Sequence, residues 1–283
     1  MDKAGDKIEE LKQLWQVSFG DSKEYTEFFF SRAYREERTV NREADGRIVS
    51  SAQFRHFDII YGKSRFKSVY IFGVCTDPDF RRKGLSADII DQLITEQAAL
   101  SIDIAFLILQ REDLFDYYNK LGFNAAITIW EEFISHEAPN KNKNYSIIKP
   151  SLDKLYKYYT DFYLSLGQAV IKDREYFDFT MDDIIAGGGR IDVCGSEGHI
   201  RGFAATDGNV VKELLCLDKH ASNTLLSLLL KENPGKPLKV ITPGNCPSPS
   251  PAAGKKTLGL ARIINPSLPD MDLSKVYANL LLN

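Results

Sequence analysis

The sequence predicts an α/β (α+β) protein of two consecutive halves, and three observations carry that expectation. The first is length: 283 residues exceed the roughly 100–200 residues of one typical domain, and a hydrophobic fraction of 43% is ample for two cores. The second is a change of period at one junction. Ser68 to Val74 is rich in the β-branched and aromatic residues of a strand, while Leu85, Ile89, Ile90, Leu93 and Ile94 recur at helical spacing. The third is repetition of order: after a polar, turn-prone break at His136 to Asn144, strand and helix patterns follow in much the same succession as before.

Taken along the chain, Met1 to Lys7 is charged and opens an amphipathic helix that carries Leu14 and Trp15. Tyr25 and the run Phe28, Phe29 and Phe30 follow at a helical spacing that fits a core. His56 to Arg65 reads as a hairpin of mixed charge, and the strand at Ser68 to Val74 comes next. Beyond the helix that starts at Leu85 lie an apolar strand, Ile102 to Leu109, and a helix at Leu114 to Leu121 stopped by Gly122. After the break, Tyr145 to Ile148 is a strand and Leu152 to Leu166 and Tyr176 to Ile185 are helices. Arg190 to Cys194 turns through Gly195 to Gly198 onto His199 to Ala205, and Asp207-Gly208-Asn209 turns into Val210 to Leu217. A leucine-rich helix, Ser222 to Leu230, precedes strands at Leu238 to Thr242 and Leu258 to Ile264. Pro243 to Gly254 between them is a loop.

The junction at Gly73 to Ala87 is the chemically telling part. A strand there runs through Asp77-Pro78 and Arg81-Arg82-Lys83-Gly84 straight into a helix whose first turn holds Leu85 and Ser86. The first four N–H groups of a helix lack intrahelical partners, and the peptide dipoles place about half a positive charge there. An anion such as a phosphate is therefore held at Arg82 to Ser86 by geometry and by field. Gly84 lets the main chain approach closely, and Arg81, Arg82 and Lys83 add fixed charge. The plain rival is a solvated basic helix start.

Arg81-x-x-Gly84-x-Ser86 after a strand and an Asp-Pro pair resembles the acetyl-coenzyme A signature of the GCN5-related N-acetyltransferases (GNAT). Ser86 stands where that family usually has Gly or Ala. A later motif of the family, Tyr four residues before Gly-Phe, is matched by Tyr118, Gly122 and Phe123, and Leu14 to Ser22 is similar to its opening helices. The resemblance spans about residues 8 to 133 and implies mixed, mainly antiparallel twisted sheets flanked by helices. It implies that the strand bearing Val74, Cys75 and Thr76 splays from its neighbour, so that the pantetheine arm of acetyl-CoA pairs with it. An N–H near Val74 would stabilise charge on the acetyl oxygen. Arg81, Arg82, Lys83, Gly84, Leu85 and Ser86 would hold the diphosphate. Tyr118 would protonate the leaving thiolate, with Tyr117, expected to point elsewhere on the helix, in reserve.

The order of the second half is similar to a degenerate copy of the first, as in tandem acetyltransferases related to the enhanced-intracellular-survival type, without their extra C-terminal domain. The resemblance divides the chain into a catalytic domain at residues 1–137 and a degenerate domain with a C-terminal tail at 145–283. Asp218-Lys219-His220-Ala221-Ser222 has no glycine and sets a carboxylate where a diphosphate would lie, so this half is expected to bind no coenzyme A. The implied activity is direct acetyl transfer to a primary amine of a small molecule. A non-catalytic CoA or acyl-CoA sensor or interaction module is the alternative.

Composition excludes other classes. A net charge of −3 with interspersed signs argues against nucleic acid as a partner. Cys75, Cys194, Cys216 and Cys246 form no C-x-x-C pair, and the four histidines lack ligand spacing, so neither a metal nor a disulfide scaffold is expected. Cys75 lies beside the cofactor strand, but a covalent acetyl-cysteine is disfavoured because buried cysteines behave as small apolar residues. No apolar run is long enough to span a membrane, and a cytoplasmic location is expected. The general base stays open among Asp58, Glu24, Glu131, Glu132 and a terminal carboxylate at Asn283. The acceptor stays open among an aminoglycoside, a polyamine, an amine metabolite and a protein N-terminus, and the oligomeric state is not indicated.

Overall fold

The structure, a computed structural model, describes residues 3–109, 111–134, 143–243, 253–268 and 271–282. Helices α1 (Lys3–Phe19) and α2 (Lys23–Arg32) pack through Trp15, whose ring stacks on Phe29 at 4.4 Å. Ser22 caps α2 by accepting the Tyr25 N–H. An antiparallel meander follows: β1 (Thr39–Ala44), β2 (Arg47–Tyr61) and β3 (Ser64–Thr76). Helix α3 (Leu85–Ala99) buries Ile89, Ile90, Leu93 and Ile94 on the sheet and returns the chain to β4 (Ile104–Ile108), parallel to β3. The short α4 (Phe115–Lys120) and the long β5 (Asn124–Ile134) complete the first half.

The second half runs β6 (Ser146–Ile148), α5 (Leu152–Ser165), β7 (Gln168–Ile171), α6 (Arg174–Ala186), β8 (Arg190–Ser196), β9 (His199–Asp207), β10 (Val210–Cys216), α7 (Lys219–Glu232), β11 (Leu238–Thr242) and β12 (Gly254–Ile263). These match the expected elements within a few residues. β1, most of β2, β5 and the four-residue β7 were not foreseen. Most of the break at His136 to Asn144, Cys246, nearly all of the loop at Pro243 to Gly254, and Asn283 lie outside the described residues.

The expectation of one sheet per half is corrected. The twelve strands among the described residues form a single mixed, mainly antiparallel sheet in the order β1-β2-β3-β4-β12-β5-β11-β10-β9-β8-β6, with β7 on β2. The reason lies in β12, which enters between β4 and β5 and pairs antiparallel with both. Without it, two strand edges in the middle of the sheet would leave their N–H and C=O groups unpaired. Gly259 makes the fit possible, because a Cβ there would meet the Leu107 carbonyl oxygen at 2.4 Å. The other edge of β5 takes β11.

The expected tail is also structural. The N–H of Thr128 donates to Val276 O at 3.0 Å, the N–H of Val170 in β7 donates to Tyr277 O, and the N–H of Tyr277 donates to Gln168 O of the same strand; Val276, Tyr277 and Ala278 are buried. One core lies under α3, and a second joins Trp15, Phe29, Tyr70 and Phe106 to Tyr176 and Phe179 of α6. The third fills the second half. The buried Arg55 of β2 clasps Asp173 and Glu175 at the start of α6, so the halves are also joined by charge.

Candidate active site

β3 and β4 pair from Ser68↔Ile104 to Tyr70↔Phe106, and there the pairing stops. β3 continues to Thr76, so its outer residues splay away from β4 as the resemblance implied. A bulge marks the same stretch: Ser51 faces Cys75 and Gln53 faces Phe72, so β3 holds one extra residue, around Gly73 and Val74. A bulge bends its strand and frees backbone groups to face a new direction.

Past Thr76 the chain turns tightly. Asp77 accepts from the Asp79 N–H and pairs with Arg47 at 2.6 Å, while Arg81 Nε donates to Thr76 O at 3.1 Å. Gly84 then takes a left-handed φ of +85° as the N-cap of α3, and no side chain caps the helix. The first-turn amides therefore lack both an intrahelical and a side-chain acceptor.

Val74, Cys75, Thr76, Arg81, Arg82, Gly84, Leu85, Ser86 and Tyr118 all line one cleft of about 530 Å³. Lys83 does not, since its ammonium sits over the Phe80 ring at 4.3 Å. Ser18, Phe19, Arg111 and Tyr117 join the lining and were missed. The signal for Arg111 was its place just after the apolar strand that ends at the splay. Tyr117 does not point elsewhere. Its hydroxyl lies 2.7 Å from Ser86 Oγ, and its ring meets Tyr118 edge to face at 5.0 Å. Burial raises the Tyr118 phenol above its ordinary pKa, with Tyr117 adding to the shift, so the group is a proton donor at neutral pH. Burial also pushes the Cys75 thiol up to about 12, which leaves almost no thiolate there.

The carboxylates expected as bases lie apart from this cleft. Asp58 is bound to Arg65 at 2.7 Å, Glu24 is exposed at the start of α2, and Glu132 is buried in β5. Glu131, 2.9 Å from Lys239, lines a second cavity of about 380 Å³ together with Asp183, Lys212, Lys256 and residues 279–282. Asp183 accepts the Tyr25 hydroxyl at 2.9 Å, and burial raises its pKa while that hydrogen bond opposes the rise.

The second half offers a parallel case. β10 and β11 pair only at Val210↔Lys239 and Val211↔Val240, and β10 has its own extra residue, Lys212, against β9. Here the chain itself occupies the opening. Asn279 Nδ2 donates to Lys212 O at 2.5 Å. Asp218 caps α7 by accepting the Ala221 N–H at 2.9 Å and is held by Tyr145 and Arg201. Burial works against the Asp218 charge, but these donors hold its pKa below the ordinary value.

The family profile "Acetyltransferase (GNAT) domain" matches residues 4–126. A comparison with curated proteins finds no match. Among solved structures, a conserved Enterococcus faecalis V583 protein described as a probable N-acyltransferase superposes with a TM-score of 0.73 at 18% identity, over 92% of this chain and 70% of its own. Eis1 from Mycobacterium abscessus superposes with a TM-score of 0.64 at 13% identity, over 94% and 72%. A GCN5-related N-acetyltransferase from Anabaena variabilis gives 0.67 at 14%, over 92% and 71%. The likeness in fold thus extends through both halves. No helix among the described residues is long and apolar enough to cross a membrane. Residues 4–126, whose strand-turn-helix junction builds the cleft, thus match the GNAT acetyltransferase domain model, and the chain shares its fold with a solved GCN5-related N-acetyltransferase.

Proposed function

We propose that the chain is an acetyl-CoA-dependent N-acetyltransferase that moves the acetyl group directly to the primary amine of a small molecule. One observation supports this above the rest: the unpartnered edge of β3 and the uncapped start of α3 face a single cleft. The residues fit the cosubstrate by their chemistry. The backbone of Val74, Cys75 and Thr76 can pair with the amides of a pantetheine arm, and the amides of Gly84, Leu85 and Ser86 suit a diphosphate. Arg81 and Arg82 supply charge at its edge, and Lys83 contributes to the field from over Phe80.

Acetyl-CoA supplies the activated acyl carbon, and the chain's own groups handle charge and protons. An alkyl ammonium of pKa about 10.4 must lose one proton before it attacks. A second leaves as the C–N bond forms and the C–S bond breaks, and the thiolate takes a proton from Tyr118 Oη, which solvent restores. Amides of the bulge near Val74 would stabilise the acetyl oxygen as charge gathers on it. With its thiol protonated, Cys75 takes no covalent part.

On this reading residues 1–137 are the catalytic unit and residues 145–283 a degenerate copy that lends β12 and walls the acceptor side. The Asp218 carboxylate repels a diphosphate, so this copy binds no CoA. The buried thiols of Cys75 and Cys194 fit a reducing compartment, and we place the protein in the cytoplasm. The test is thiol release from acetyl-CoA across a broad amine panel, with thermal stabilisation by CoA measured alongside. Release with one class of amine supports the enzyme. Stabilisation without release by any amine replaces it with the CoA-binding module, a reading favoured by the lack of a carboxylate among the described residues that line the cleft.

A further inference from the structure

The second cavity lies beside the first, at the seam of the two halves. Leu109, at the end of β4, lines it, and Arg111, two residues on, lines the cofactor cleft. The link between α1 and α2 spans both, since Phe19 borders the cleft while Tyr25 reaches Asp183 in the cavity. An amine seated there is next to the splayed end of β3 and β4, where the transfer reading places the acyl group.

Its charges are mostly matched within the protein. Lys239 pairs with Glu131 at 2.9 Å and Lys212 with Asp207 at 3.1 Å. Two groups remain without an ion-pair partner among the described residues. One is the half-buried Asp183, held by the neutral Tyr25 hydroxyl, and the other is Lys256, exposed on β12. A polycation would meet Lys256 and two already paired ammonium groups, and a simple alkylamine would leave Lys256 unanswered.

We propose that the acceptor is an amine that also bears an acidic group, an amino carboxylate, with its ammonium on Asp183 and its carboxylate on Lys256. This rests on the transfer reading for the site's role. Asp183 receives the first proton from the ammonium, and the burial that raises its pKa makes it a better base than an exposed carboxylate. Residues 279–282, with Ile129 and Leu258, enclose the carbon skeleton.

The experiment measures binding first, without acetyl-CoA. Thermal stabilisation and calorimetric titration are recorded for 4-aminobutyrate, butylamine and 1,4-diaminobutane, then for glycine, β-alanine and the standard amino acids. At least one amino carboxylate is expected to bind about tenfold or more tighter than its amine and diamine counterparts. Lys256→Met should abolish that preference, and Asp183→Asn, which still accepts from Tyr25, should weaken every amine. Equal or tighter binding of the diamine, an unchanged preference in Lys256→Met, or no saturable binding by any amino carboxylate overturns the proposal. Thiol release is measured afterwards. The expected preference without release rejects the transfer reading and leaves the ligand class supported.

Discussion

The parallel pairs β3 with β4 and β10 with β11 open in the same way, each with an extra residue in the longer strand, yet they end in opposite states. The first opening leads to a helix whose N-cap is a glycine with no side chain to offer, and that helix start lines the cleft. The second is filled from within: Asn279 takes the Lys212 carbonyl, and Asp218 takes the Ala221 amide of α7. A helix start with a carboxylate already in place is stable by itself, whereas one without is a site awaiting an anion. The chain thus keeps one junction for structure and one for binding, and the difference rests on Gly84 against Asp218.

Four changes sharpen or break this contrast. Tyr118→Phe should cut thiol release by about 100-fold or more while CoA affinity stays unchanged, the usual scale for losing a positioned acid; steady-state rates with calorimetric CoA binding measure both. An unchanged rate would move the acid role to Tyr117, whose hydroxyl already lines the same cleft. Gly84→Val comes next. At a CoA concentration about a hundred times Kd the native protein should gain about 2.7 kcal/mol, and the variant none, because a β-branched residue disfavours a φ of +85°. The Cβ itself would meet nothing within 4 Å, so the fold should persist and circular dichroism should be native.

Asp218→Ala tests the closed junction. Loss of the cap should cost about 1 kcal/mol in denaturant melts, and CoA should still bind with one molecule per chain because Asn279 still occupies the Lys212 carbonyl. A second equivalent would show that the carboxylate alone keeps that junction shut. The smallest effect concerns the buried group around Glu213, which accepts hydroxyls from Tyr159, Tyr163 and Tyr277 while Lys172 donates to Tyr159. Burial draws the Lys172 pKa down to about 8, against the pull of Glu213, while the unfolded chain keeps the proton to about 10.5. Between those values the unfolded state binds more protons, so stability should rise with pH. The gain is at most about 1 kcal/mol from pH 8 to 9, before tyrosine ionisation opposes it. Lys172→Met should flatten that slope in urea titrations.

The cofactor-side geometry was legible because it is local. A strand, a glycine turn and a helix within twenty-odd residues announce themselves by period and by φ-permissive residues, and the cleft collects nearly every residue they named. Lys83 lies outside the cleft lining, over the Phe80 ring, a placement that sequence cannot tell from an ammonium facing an anion. The acceptor side was not legible. Asp183 on α6 and Lys256 on β12 stand 73 positions apart in chain order, and only the folded chain brings them to one cavity. For the same reason the single sheet escaped notice: β12 reads as a plausible strand of its own half, and nothing in its period says whose gap it fills. The short β7 fell below the length at which alternation is visible.

The threading of β12 has a consequence for biosynthesis. A ribosome releases residues 104–134 long before residues 254–263, so β4 and β5 emerge with a missing neighbour between them and must wait through the making of more than a hundred further residues. During that interval two apolar edges are open to any other nascent strand. The protein should therefore lean on holding chaperones while it is being made, and a chain stopped ahead of residue 254 should aggregate.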